Sequence, residues 1–79
     1  MPFVIIEGYR FGFYSLDQDE PPHVHVFRGG DEAKIWLRPV EPDWNHGYNK
    51  RELGRILELT RQHQQRLLEM WYEPFGRPN

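Results

Sequence analysis

A predicted β-hairpin between residues 20 and 38 constrains the fold of this chain more than any other stretch. Two runs rich in β-branched and aromatic residues flank the pair Gly29–Gly30, and a two-residue glycine turn between such runs is typical of a hairpin. The turn fixes the pairing of the two strands, so that His25 is expected opposite Lys34. Two prolines before His23, which lack the N–H of a strand ladder, mark where the first strand begins.

The two faces of this hairpin differ in chemical character, because side chains alternate along a strand with a period of two residues. One face is small and apolar, which predicts the core. This valine face comprises Val24, Val26, Ala33, Ile35 and Leu37. The opposite, histidine face comprises His23, His25, Phe27, Lys34 and Trp36. A register shifted by one residue would bury both histidines and the lysine, so the pattern favours the first register.

Two further strands are predicted before the hairpin and one helix after it. Residues 3–6 form a short β-branched run, and residues 9–15 alternate, with three aromatic side chains on the valine face. The proline- and glycine-containing stretch before Asn49 has no period, which predicts an irregular loop. We therefore expect a single α+β domain over residues 1–79. It consists of a four-stranded, mainly antiparallel sheet (3–38), a loop (39–48) and one long C-terminal helix (49–73) packed on the valine face.

The predicted helix is longer than the sheet that it covers. Asn49 is a suitable N-cap, and Glu52 completes the sequence pattern of a capping box. At about 1.5 Å per residue the helix is roughly 35 Å long, whereas a strand of five residues spans about 17 Å. Its last turns should therefore extend past the sheet and bind a second copy of the chain or another protein. The residues expected in this partner surface are Trp36, Leu59, His63, Met70, Tyr72 and Phe75.

Composition narrows the classes of function. The 79 residues include no cysteine, which excludes disulfides, thiolate zinc sites and cysteine nucleophiles. The formal net charge of −2 gives no general attraction to nucleic acid, so such a contact would need a local basic patch. The first residues are too few and too uncharged for a signal peptide, and no long apolar run follows. We expect a soluble, cytoplasmic protein with no membrane contact.

His23 and His25 are the most distinctive chemical feature of the sequence. Residues two apart on a strand project side by side, so the two imidazoles could bind one metal ion. Two ligands are one fewer than a catalytic zinc site uses, and His46 or Glu32 would have to supply the third. This interpretation predicts a metal site on the histidine face.

Two other interpretations of the same histidine pair need no metal and no other cofactor. One is a metal-independent ribonuclease, in which the histidines transfer protons, Arg10 and Lys34 hold a phosphodiester, and Tyr14 stacks on a base. A lysine opposite His25 favours the neutral imidazole that a base requires. The other is a pair of half-exposed histidines on a solvated sheet face, without a chemical role.

Several segments of the sequence resemble those of a known family. The most specific is Pro-Pro-His-Val-His-Val at residues 21–26, and other shared segments lie at residues 8–15, 32–40, 45–53 and 67–71. On these segments the sequence resembles a family of short bacterial proteins filed as domain of unknown function 4160. Gly12, Pro42 and Trp44 depart from the usual pattern. The resemblance implies one component of a two-protein operon of the toxin–antitoxin type, and it brings no activity with it. The leading expected function is therefore binding of a small partner protein encoded nearby.

Overall fold

The chain forms one antiparallel sheet followed by two helices. The computed structural model describes residues 2–14, 17 and 19–75, with the backbone alone for residues 74 and 75. The strands are β1 (Phe3–Ile6), β2 (Tyr9–Gly12), β3 (His23–Arg28), β4 (Asp31–Leu37) and β5 (Val40–His46). The helices are α1 (Lys50–Gln62) and α2 (Gln64–Phe75). Strand order in the sheet follows chain order, and every neighbouring pair is antiparallel.

The central hairpin has the predicted register. His25 lies opposite Lys34, and Val24 lies opposite Ile35. Gly29 adopts a φ of 60°, a left-handed value that glycine reaches without a steric penalty. All five side chains of the valine face are buried, with exposed fractions of 1% or less. The predicted core face is therefore confirmed.

The first hairpin adds aromatic side chains to this core. Its two turn residues, Glu7 and Gly8, both have positive φ values, of 51° and 84°, as a type I′ turn requires. The three aromatic side chains that were predicted to join the valine face, Tyr9, Phe11 and Phe13, are at most 5% exposed. Burial of large rings is expected to supply much of the stability of such a small domain.

A fifth strand occupies most of the stretch that was predicted to be a loop. β5 pairs with β4 through a register shift, in which Lys34 faces Trp44 and Ile35 faces Pro42, so that Asp43 is the extra residue of a bulge. Proline is tolerated here because β5 lies at the edge of the sheet and one side of it needs no ladder hydrogen bonds. The predictions of four strands and of a loop over 39–48 are wrong, because the bulge and the proline hide the two-residue period.

The helical region begins as predicted. The Asn49 side chain accepts a hydrogen bond from the backbone N–H of Glu52 at 2.8 Å, which satisfies one of the unpaired donors of the first turn. The carboxylate of Glu52 accepts a hydrogen bond from the hydroxyl of Tyr9 at 3.2 Å, and this contact connects the helix to β2.

The single long helix that was predicted over residues 49–73 is wrong, because the helix breaks at His63. This residue adopts φ −110° and ψ 16°, and its backbone N–H bonds to the carbonyl of Leu59 at 3.0 Å. Just after the break, the side chain of Gln64 donates to the carbonyl of Leu37 at 2.6 Å. The change of direction lets α2 stay against the protein, where Leu67 and Trp71 are at most 3% exposed.

Both helices contribute to the core on the valine face. Ile56, Leu59 and Leu67 are at most 2% exposed and belong to the same hydrophobic cluster as the strand residues. The prediction that Leu59 is available to a partner is therefore wrong, because this side chain lies inside the core. No helix within the described residues is long and apolar enough to cross a membrane.

Candidate metal centre

The histidine face is covered by the connection between β2 and β3. In this connection Asp17 approaches both histidines, and the carboxylate of Glu20 forms an ion pair with the ammonium group of Lys34. His23 has no exposed surface, and His25 retains 6%. The interpretation of two half-exposed histidines on a solvated face is therefore wrong, because that interpretation left the connection out of account.

Both ring nitrogens of His23 lie close to oxygen atoms. Its Nδ1 lies 3.0 Å from the carbonyl oxygen of Pro21, and its Nε2 lies 2.9 Å from Oδ2 of Asp17. The ring also packs against the indoles of Trp36 and Trp71, with centroid distances of 5.5 and 4.9 Å. Strand β3, the connection and helix α2 together fix the orientation of this imidazole.

His25 repeats this arrangement one step further along β3. Its Nδ1 lies 3.0 Å from Oε2 of Glu32, and its Nε2 lies 3.3 Å from the same Oδ2 atom of Asp17. Tyr14 and Trp44 pack beside the ring, with centroid distances of 4.7 and 5.7 Å. The two imidazoles therefore present the same nitrogen to one carboxylate oxygen.

The partners of the Nδ1 atoms decide the protonation of the rings. A carbonyl oxygen and an ionised carboxylate can only accept hydrogen bonds, so the Nδ1 atoms of His23 and His25 must carry hydrogen. In a neutral ring the Nε2 atom then carries a lone pair. Both Nε2 atoms are buried and lie within ion-pair distance of Oδ2 of Asp17, but neither makes a well-aligned hydrogen bond to a described residue.

The spacing of the three groups agrees with a metal site. Tetrahedral zinc binds imidazole nitrogen at about 2.0–2.1 Å, so two ligand atoms on one ion lie about 3.3 Å apart. Oδ2 of Asp17 is 2.9 Å from Nε2 of His23 and 3.3 Å from Nε2 of His25. One ligand atom from each of the three residues can be chosen so that all lie within 4.8 Å of one another.

Hydrogen-bond acceptors behind the ligands complete this pattern. Metal-binding histidines usually donate the other ring N–H to a carbonyl or carboxylate, which fixes the tautomer and makes the ligating nitrogen more basic. Pro21 and Glu32 supply these two acceptors. Glu32, which the sequence suggested as a third ligand, therefore lies behind His25 rather than in front of it.

The electrostatics of the centre favour a cation. Burial raises the pKa of Asp17, but a contact with His23, the backbone N–H of Tyr14 and the positive charge that either histidine carries when protonated lower it by more, so the net pKa lies below the ordinary value. Asp17 is therefore an anion at neutral pH.

The carboxylates nearby add to this negative charge. Glu20 and Asp43 both contact the ammonium group of Lys34, the latter at 3.4 Å. Burial lowers the pKa of Lys34, yet these two carboxylates raise it by more, so the lysine remains charged. Together with Asp17 and Glu32, which contact the histidines, this part of the face holds four carboxylates and one ammonium group, so the excess charge is negative.

Other residues predicted for a site lie outside this centre. The guanidinium of Arg10 lies over the ring of Phe3, 5.0 Å from its centroid, near the edge of the sheet. His46 is exposed and stacks on Trp44 at 4.6 Å. Tyr14 is 41% exposed, and its hydroxyl lies 3.5 Å from Glu32. Of the residues predicted for proton chemistry, the structure brings Tyr14 but not Arg10 to the histidines.

The predicted partner surface is dispersed. Trp36 is half-buried beneath the ammonium group of Lys34, 4.6 Å from the ring centroid. Met70 and Tyr72 are half-buried, and His63 forms the helix break. The side chain of Phe75 lies outside the described residues.

Asp17 is the functional residue that the sequence analysis missed. Its signal was the acidic run that directly precedes the two prolines and the histidine pair. A loop that returns over the strand it leads into brings such a residue onto the face of that strand, but the sequence does not specify which acidic residue arrives.

Comparison with known proteins identifies the family of the chain. Residues 8–72 match the domain of unknown function DUF4160. Since the match covers most of the 79 residues, the chain belongs to this family. Neither the curated proteins nor the solved structures contain a match to the chain.

Proposed function

We propose that this member of the DUF4160 family is a metal-binding protein that holds one divalent transition-metal ion on Asp17, His23 and His25. The observation that carries the proposal is the pair of buried Nε2 atoms, which converge on one carboxylate oxygen at 2.9 and 3.3 Å without a well-aligned hydrogen bond to it. Two histidines and one carboxylate are ligands used by zinc and by non-haem iron(II).

Three protein ligands are typical of sites that keep a position for water or substrate, whereas structural zinc sites use four. A zinc ion held here would lower the pKa of a bound water towards neutrality. Solvent can approach from the side of Asp17, whose side chain is 16% exposed. The burial of His23 argues against the metal-independent ribonuclease, because this ring cannot touch a polymer substrate.

Zinc titration of the chelator-treated protein tests the proposal. We expect one ion per chain by calorimetry and an increase in melting temperature, since a ligand that binds only the folded state stabilises by about 2.7 kcal/mol at 100 times its Kd. Asp17→Ala and His25→Ala should each abolish the stoichiometric binding. Cobalt(II) should give visible absorption bands of a low-coordinate site that zinc displaces.

The two histidines outside the centre provide matched controls. His46→Ala and His63→Ala remove an imidazole without touching Asp17 and should retain one zinc per chain. Circular dichroism of every variant separates loss of a ligand from loss of the fold. Binding that survives Asp17→Ala, or that His46→Ala removes, would contradict the assigned ligands.

A second candidate function is partner binding, as one component of a two-protein module of the toxin–antitoxin type. The observation that favours it is the edge of the sheet at β1, which is unpaired on one side among the described residues and where Phe3 is 50% and Ile5 is 63% exposed. Co-expression with the product of the adjacent gene should give a complex that co-elutes in gel filtration, and expression of one gene alone should inhibit growth. Separate elution of the two products would count against this role.

A further inference from the structure

Strand β1 carries unused main-chain hydrogen-bonding groups. It is the first strand in the sheet order, so among the described residues only one side of it is paired. Ile6 and Tyr9 flank the two-residue turn, and antiparallel pairing alternates from such a closing pair. The N–H and C=O groups of Phe3 and Ile5 therefore point away from β2, in the arrangement that an additional strand would use.

The side chains beside this edge are apolar and cationic. Ile5 lies across from Arg10, which lies across from Phe27, so these three side chains share the histidine face of the sheet. Next to them is a cleft of about 300 Å³, whose lining includes Ile5, Arg10, Phe27 and Arg28. An apolar strand edge and a cleft lined by Arg10 therefore adjoin on the histidine face, whereas the guanidinium of Arg28 lies over Tyr9 on the valine face.

The guanidinium group of Arg10 is not neutralised within the described part of the chain. Arg10 lies over the ring of Phe3 and Arg28 over the ring of Tyr9, each 5.0 Å from the ring centroid, and no described carboxylate is within ion-pair distance of either. By contrast, Arg55 on α1 contacts two carboxylates. The nearest acidic side chain on this face, Glu32 across from Phe27, contacts His25 and forms no ion pair with Arg10, so Arg10 is available to an acidic ligand.

We propose that the β1 edge binds an extended acidic segment of a partner protein as an additional antiparallel or parallel strand. Main-chain bonds to Phe3 and Ile5 would give affinity, and a carboxylate near Arg10, whose guanidinium lies over Phe3, would give specificity. This proposal rests on the partner-binding role proposed above and names the chemistry of the partner. A second copy of the chain fits poorly, because a symmetric β1–β1 contact would bring like-charged arginines together.

Binding of defined peptides to the isotope-labelled full chain tests this proposal. The probe is an eight-residue capped peptide that alternates glutamate and valine, and its matched control alternates lysine and valine. We expect the glutamate peptide alone to shift the amide resonances of Phe3, Ile5 and Arg10, and to slow hydrogen exchange at Phe3 and Ile5. An eight-nucleotide oligouridylate distinguishes a general anion site from a strand-binding edge.

Two substitutions separate the main-chain and charge contributions. Ile5→Pro removes an outward-pointing N–H and leaves the pairing with β2 intact. It should therefore lower the affinity for the glutamate peptide at least tenfold. Arg10→Glu should reverse the preference towards the lysine peptide. Both variants should still bind one zinc ion, because neither residue touches the metal centre.

Several outcomes would overturn the proposal. Equal binding of the two peptides would show that the surface does not select an acidic partner. Tighter binding of the oligouridylate would assign the surface to nucleic acid. Self-association that Ile5→Pro abolishes would assign the edge to a second copy. If the product of the adjacent gene binds equally well to wild type, Ile5→Pro and Arg10→Glu, the partner-binding role stands while the β1 edge is the wrong surface.

Discussion

The hydrogen-bond acceptors of the Nδ1 atoms of His23 and His25 determine whether the Nε2 atoms can bind a metal ion. Because both Nδ1 atoms face oxygen acceptors, the neutral rings carry their lone pairs on the Nε2 atoms near Asp17, and this arrangement suits a bound cation. The same logic distinguishes a ligand from a residue that supports a ligand. Glu32 contacts the rear of the His25 ring and should affect the affinity for metal without setting its stoichiometry.

Substitution of Glu32 tests this supporting role. Glu32→Ala should weaken zinc binding by about 10–100-fold while one ion per chain is retained, because the Nδ1 acceptor of a ligand fixes its tautomer and basicity. Calorimetric titration measures both quantities. Glu20→Ala is the matched control, since Glu20 lies on the same face but contacts Lys34. Loss of binding as complete as in Asp17→Ala would instead make Glu32 a direct ligand.

Helix α2 is an integral part of the core rather than an extension beyond the sheet. The break at His63 involves neither proline nor glycine, so nothing in the local sequence marks it. The break allows tertiary contacts between α2 and the sheet. Trp71 packs against Phe13 at a centroid distance of 5.3 Å and against His23 at 4.9 Å. The helical spacing of apolar residues continues through the break, so the sequence pattern does not predict this packing.

Substitutions in α2 separate a packed helix from an overhanging one. Trp71→Ala should lower the free energy of unfolding by about 3–5 kcal/mol, because a large buried ring is replaced by a cavity. Gln65→Ala, at an exposed position of the same helix, should change it by less than about 0.5 kcal/mol. Urea unfolding followed by circular dichroism measures both. Similar values for the two variants would mean that α2 is not docked in solution.

At the scale of the whole molecule, the predictable features are those set by local periodicity. The Gly29–Gly30 turn and the alternating valines fixed the central hairpin, and Asn49 marked the helix start. The missed features all depend on contacts between distant segments: the bulged edge strand β5, the break at His63 and the return of Asp17 over β3. The sequence therefore predicted part of the candidate site, the two histidines, but not the carboxylate of Asp17 that lies beside them.

Tyr48 connects the two layers of the molecule. It lies just before α1 and is 5% exposed, and its hydroxyl donates to the backbone carbonyl of Val26 in β3 at 3.0 Å. Burial, with smaller effects from the charges of Asp31 and Glu52, raises the pKa of Tyr48 to about 12. An unfolded tyrosine titrates near 10, so between about pH 10 and 12 the unfolded chain releases this proton before the folded chain does.

The stability of the whole domain should therefore fall through this alkaline range. A pKa raised in the folded state stabilises fully below about pH 10, and this contribution, about 2–3 kcal/mol, is lost as the pH rises through about 12. Tyr48→Phe should be about 1 kcal/mol less stable at pH 8, because the bond to Val26 is lost. Above pH 10 its stability should fall less steeply than that of wild type, so the free energies of unfolding from urea titrations should converge and then cross before about pH 12. Parallel pH profiles would show that the phenol of Tyr48 is not protected by the fold.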